Sequence, residues 1–134
     1  VLIKFSQNDE RIRQYTNPTK GIAISRNIGL NKADSRFVAF IDADCIAPVN
    51  WLEVLMKGFL KYEKLYPNLC GVGGSNIPPK NKPNKYYQTL ALFLNSYLGS
   101  FGSAQGMIYN ADRRINHLPC VNVMYKKKYL LEKE

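Results

Sequence analysis

Phe37-Val38-Ala39-Phe40-Ile41 runs without a polar break into Asp42-Ala43-Asp44. A short, uninterrupted apolar run predicts a strand buried on both faces, as in a parallel sheet covered by helices. Ligands of such sheets bind just beyond the carboxyl ends of the strands. Two aspartates one residue apart, on a loop leaving that end, put two hard oxygen donors where a divalent cation can be held. Asp-x-Asp alone is a common tripeptide, so its neighbours decide what it means.

Outward from this strand, helix and strand signals alternate. Val1 to Phe5 reads as a strand, and the polar stretch after it turns at Asn17-Pro18. Gly21 opens a helix over Ile22 to Ala33, with Ile24 and Ile28 one turn apart. Past the aspartates, Pro48 and Asn50 start a second helix, in which Trp51, Leu52, Leu55, Phe59 and Tyr62 form a core-packing stripe. Leu69 to Val72 then restarts a short strand before Gly73-Gly74-Ser75-Asn76. This order predicts an α/β fold with a mainly parallel sheet flanked by helices. Tyr86, Leu90, Phe93, Leu94, Tyr97, Leu98 and Phe101 recur at helical spacing, preceded by Lys80, Lys82 and Lys85. Such a helix packs on a sheet or lies on a membrane surface, and packing is the commoner fate. An apolar segment from Leu118 to Tyr125, broken by Asn122, leads into a basic helical end.

Composition narrows the partners. A chain of 134 residues with 46% hydrophobic content can bury one domain core. Its formal charge of +9 is uneven: residues 1–67 hold ten Lys and Arg against seven Asp and Glu, residues 68–134 nine against three. That excess suits nucleotide phosphates, an acidic membrane surface or nucleic acid, or a solvated basic face. Lys and Arg are dispersed, however, and no motif interleaves them with aromatics for nucleic acid, so none is expected as a partner. Three cysteines, Cys45, Cys70 and Cys120, with no C-x-x-C spacing, indicate neither a disulfide framework nor a zinc site and fit a reducing cytosol. Cys45 reads as small apolar filler, His117 as a structural or surface residue and Lys126-Lys127-Lys128 as a solvated helix end. No signal-peptide pattern opens the chain, and no stretch reaches the roughly 18 apolar residues of a spanning helix.

One helix before the aspartates stands Gly21-Ile22-Ala23-Ile24-Ser25-Arg26-Asn27-Ile28-Gly29-Leu30. Gly-x-Ala-x-x-Arg-Asn-x-Gly, then an apolar strand ending in Asp-Ala-Asp, then Pro-x-x-Trp-Leu, resembles the inverting glycosyltransferases of family 2, which have the GT-A fold. The match is dense from Gly21 to Leu52. Downstream, Gly73-Gly74-Ser75-Asn76 falls where that family has a strand and loop after the metal site. Leu118 to Lys127 is similar to the segment that commonly precedes a Gly-Gly-Phe-Asp stretch.

The resemblance implies transfer of a sugar, with inversion, from a nucleotide-diphospho-sugar to a glycan or lipid-linked acceptor. Mg²⁺ or Mn²⁺ would neutralise the departing diphosphate as a Lewis acid. By similarity Asp44 is the direct metal ligand, and Asp42 contacts the nucleotide ribose or supports the metal. Arg26, whose planar fork bonds the oxygens of a diphosphate or of an Asp carboxylate bidentately, joins Asn27, Asp42 and Asn122 as the expected substrate-binding set. The family usually opens with a Pro-x-Tyr-Asn-type turn and an Asp-Asp-Gly-Ser-like motif that holds the base, and places an acidic general base beyond the Gly-Gly-Phe-Asp stretch. None of these is found here, so residues 1–134 read as a single incomplete GT-A-like domain, inactive alone, whose general base is unassigned. A cytoplasmic location, with peripheral contact at the cytoplasmic face of a membrane, follows by the same resemblance. A non-catalytic basic module for nucleic acid or acidic membranes, and an inactive GT-A scaffold, are the alternatives.

Overall fold

The structure is a computed structural model that describes residues 2–76, 84–101, 107 and 109–131. The chain forms two compact units, Val1–Ser35 and Arg36–Glu134. Lys80 and Lys82 lie outside the described residues.

The first unit holds helices α1 (Leu2–Ser6) and α2 (Ile22–Lys32). Val1 to Phe5 was an expected strand, but from Leu2 onward it is helical. An apolar-rich stretch this short, broken by Lys4, suits either state, and here the Phe5 carbonyl accepts the N–H groups of Asn8 and Asp9 at 3.1 Å, closing helical turns. Gly21 precedes α2 at φ 142°, a backbone conformation that side chains with a Cβ rarely adopt, which is why this motif begins on glycine. Asn17 fastens that turn. Its amide donates to Ser25 Oγ at 2.9 Å and to the Gly21 carbonyl at 3.3 Å, while its Oδ1 accepts from Thr19 N at 3.0 Å.

The second unit contains strand β1 (Phe37–Ile41), helix α3 (Trp51–Tyr62), strand β2 (Gly71–Gly73), helices α4 (Lys85–Leu94) and α5 (Tyr97–Ser100), strand β3 (Asn122–Lys126) and helix α6 (Lys127–Leu131). The strand order is β1-β3-β2, and both ladders are antiparallel. This corrects the expectation of a mainly parallel sheet for the described strands. β1 and β2 do run in one direction, but β3 returns from the far end of the chain and inserts between them. An apolar run reports burial, not strand direction. Burial is also less complete than expected: Phe37 to Phe40 are half-buried and Ile41 is exposed.

Strand alternation assigns the two faces. Phe37, Ala39, Val72 and Met124 face α3, where they surround Leu55, Phe59 and Trp51. Phe59 is completely buried, and its ring meets Phe37 at 5.0 Å between centroids. The stripe read from sequence is therefore the core-facing side of α3 at Trp51, Leu55 and Phe59, whereas Leu52 is exposed and half-buried Tyr62 donates its hydroxyl to Asp112 Oδ2 at 2.6 Å. On the opposite face Tyr125 lies across Gly71 of β2. A Cβ built on Gly71 would stand 2.5 Å from Tyr125 Cδ1, so the close approach of that ring requires glycine. The Tyr125 hydroxyl donates to the Leu118 carbonyl at 2.7 Å, and burial pushes its pKa up to about 12.

Two other expectations change. Lys126 is not a solvated lysine but the last residue of β3, and its side chain is 5% exposed. Its Nζ pairs with Glu63 Oε1 at 2.7 Å beside the Phe59 ring, and Arg36 reaches the same carboxylate at 3.1 Å. The single helix expected over residues 86–101 is two, because Ser96 caps α5 instead of continuing α4. Its Oγ accepts from Gly99 N at 3.1 Å and donates to the Phe93 carbonyl at 2.6 Å.

Candidate functional site

Ile41, the last residue of β1, delivers the chain to the end of the sheet, and Asp42 to Cys45 form a turn closed by Cys45 N–H donating to the Asp42 carbonyl at 3.0 Å. Asp42 is half-buried and hydrogen-bonded or charge-paired within the chain; Asp44 is exposed. Cys45, expected as apolar filler, is exposed, with its thiol 3.8 Å from Asp44 Oδ1. The chain then runs exposed to Pro48, whose carbonyl accepts from Trp51 N at 3.0 Å as α3 begins.

Asn122 meets both ends of this loop. In the ladder it lies directly opposite Ile41, and its Oδ1 accepts the indole N–H of Trp51 at 2.8 Å. It also holds the neighbouring loop after β2: its carbonyl accepts from Gly74 N at 3.0 Å, and its Nδ2 donates to the Ser75 carbonyl at 3.1 Å. Ser75 Oγ in turn donates to the Met107 carbonyl. The aspartate loop, the Gly73-Gly74-Ser75 loop and the start of β3 are thus joined at one end of the sheet through one asparagine.

Of the expected site residues, Asp42, Asp44 and Asn122 all stand at this end of the second unit. Arg26 and Asn27 stand on α2 of the first unit, Arg26 half-buried with a partner within the chain and Asn27 exposed. Trp51 was read from sequence as packing alone, and its indole donor was missed. Its spacing in Pro-x-x-Trp, one helical turn past the aspartate loop, is the signal that pointed to it.

Among the described residues no group of three or more His, Cys, Asp and Glu is placed to hold a metal. Two carboxylates on one turn still match the chemistry of Mg²⁺, which keeps several waters and is commonly bound by one or two carboxylates together with substrate phosphates. Among the described residues no helix is long and apolar enough to cross a membrane.

Comparison with known proteins gives a consistent family. An uncharacterized glycosyltransferase of Rickettsia bellii is 38% identical over 56 residues, which cover 42% of this chain and 8% of that protein. Glycosyltransferase GlyA of Streptococcus pneumoniae is 27% identical over 122 residues, covering 81% of this chain and 18% of the relative. The Escherichia coli protein WfgD, a UDP-Glc:alpha-D-GlcNAc-diphosphoundecaprenol beta-1,3-glucosyltransferase, is 30% identical over 130 residues, 96% of this chain and 44% of its own. The chain therefore spans less than half the length of each of these relatives. No solved structure matches it with confidence. The family model for Glycosyl transferase family 2 matches residues 1–130, and the chain belongs to that family.

Proposed function

We propose that this chain carries the metal and diphosphate end of a sugar-transfer site, in a protein that moves a sugar with inversion from a nucleotide diphosphate to a lipid-linked glycan. Family membership brings with it the GT-A nucleotide-sugar transferase fold. The observation that carries the reading is the Asp42-Ala43-Asp44 turn at the carboxyl end of β1, with the Asp44 carboxylate in solvent and the turn's flanks held by Asn122. Asp44 is the proposed ligand of Mg²⁺ or Mn²⁺, and Asp42 supports the metal or meets the ribose. When bound, the ion supplies charge neutralisation at the leaving diphosphate. Arg26 as diphosphate contact and Asn27 as polar anchor rest on the Gly21–Gly29 motif alone. Asn122 is proposed to act by positioning: its amide already has two partners in the chain, so it sets the loops around the ligand. The lipid-linked acceptor is supported by the name of WfgD, whose acceptor is a diphosphoundecaprenol glycan.

The test is an amide NMR titration with Mn²⁺, alone and with UDP or GDP, on the wild-type chain and Asp44→Ala. Paramagnetic broadening should centre on Asp42 to Cys45, strengthen with nucleotide and vanish in the variant. Diffuse broadening, the same in both proteins, would refute a metal site at this turn.

A further inference from the structure

Residues 85–94 of α4 read Lys-Tyr-Tyr-Gln-Thr-Leu-Ala-Leu-Phe-Leu, with a broad apolar side and Lys85, Gln88 and Thr89 on the remaining one. The apolar side of such a helix ordinarily faces a core. Here no residue of α4 is buried. Leu92 is 74% exposed, Leu98 76% and Phe101 85%, and Tyr86, Phe93 and Tyr97 are exposed beside them. Six large apolar side chains within sixteen positions exceed the scattered surface residues of an ordinary soluble face. The charge pattern around this face says what kind of surface would suit it. From residue 64 to residue 111 the sequence contains no Asp, Glu or Arg and four lysines, three of which, Lys80, Lys82 and Lys85, immediately precede the apolar residues.

We propose that α4 and α5 form a docking face for an anionic lipid bilayer, with Leu92, Phe93, Leu98 and Phe101 entering the headgroup boundary and Lys85 pairing with lipid phosphates. Tyrosines such as Tyr86 and Tyr97 suit that boundary because their rings are apolar and their hydroxyls stay wet. The absence of acidic residues removes the repulsion that an anionic surface would otherwise impose, and each lysine near such a surface strengthens partition roughly fivefold. A second copy of the chain would offer the same lysines to one another, and like charge disfavours that pairing. The proposal does not rest on the metal and diphosphate reading, and its test contains neither nucleotide nor metal.

The 134-residue chain would be floated with vesicles of phosphatidylcholine alone and with vesicles carrying about one third phosphatidylglycerol, at low and high salt. Binding should favour the anionic vesicles by roughly tenfold or more and weaken with salt. Leu92→Ser/Leu98→Ser/Phe101→Ser should reduce partition at least roughly tenfold, and Lys85→Glu at least roughly fivefold, both with unchanged circular dichroism. No binding to anionic vesicles, or equal binding by wild type and both variants, overturns the proposal. Self-association that the triple variant abolishes, without vesicle binding, also overturns it and assigns the face to a second copy.

Discussion

The indole N–H of Trp51 donates to Asn122 Oδ1 at 2.8 Å across 71 positions of sequence. Trp51 begins the helix after the aspartate loop, and Asn122 begins the strand that pairs with the residue before it. One hydrogen bond and one ladder pair therefore fix both ends of the loop carrying Asp42 and Asp44. The same Asn122 binds Gly74 and Ser75 on its other side, so the two loops at this end of the sheet cannot shift independently.

Trp51→Phe keeps the aromatic bulk but leaves Asn122 Oδ1 without its half-buried donor, which should cost about 1–3 kcal/mol. Urea unfolding of Trp51→Phe, Asn122→Ala and the double variant measures this. Residues in contact are expected to couple by about 0.5–3 kcal/mol, so additive losses would show that the bond contributes nothing of its own.

Phe59 is the fully buried centre of the α3 face, and Phe59→Ala should destabilise by about 3–5 kcal/mol. Leu52→Ala, on the same helix but exposed, should stay within about 0.5 kcal/mol. Equal losses in denaturant midpoints would contradict the assignment of the core-facing side.

The hydrogen bond from Lys126 holds the Glu63 carboxylate below its ordinary value of 4.5, with Lys126, Arg36 and Lys128 adding charge attraction against a desolvation cost. A depressed folded-state pKa contributes stability that is present above the unfolded value and lost as pH falls through the folded one. Asp112 acts in the same direction, lowered first by the Tyr62 hydroxyl and then by Lys61. Thermal midpoints should therefore fall as pH drops below about 4.5. Glu63→Gln should flatten that fall and be less stable than wild type at neutral pH, because Lys126 then stays buried without its counter-charge.

Tyr125 gives the opposite limit. Its folded pKa is raised to about 12 from an ordinary value of 10, chiefly by burial. Its contribution is complete below pH 10 and lost as pH rises through the folded value. Ultraviolet titration should show a tyrosinate step near pH 12 that is missing in Tyr125→Phe. The variant should also be less stable at neutral pH, since the Leu118 carbonyl loses its donor.

Much of the second unit was legible in sequence because its signals are local. The stripe from Trp51 to Tyr62 marked α3 within its observed bounds, and the run Phe37–Ile41 marked β1. Where signals were short, context prevailed: the N-terminal apolar residues became helix, and an Asn95-Ser96 step divided the expected long helix. The role of Lys126 was hidden because a lysine run looks the same whether its first member is solvated or turned inward by strand alternation.

By itself the sequence determined the family, the elements around the aspartates and the glycine that opens α2, because periodicity, turn chemistry and motif spacing act over one or two turns of chain. The tertiary structure alone decided that β3 lies between β1 and β2, that Asn122 joins Trp51 to the aspartate loop, and that Leu92 and Phe93 of α4 and Tyr97 and Leu98 of α5 are exposed. Each of these depends on which distant segment arrives beside a residue. Pairing partners and burial are properties of that arrival, and a single chain pattern is compatible with several of them.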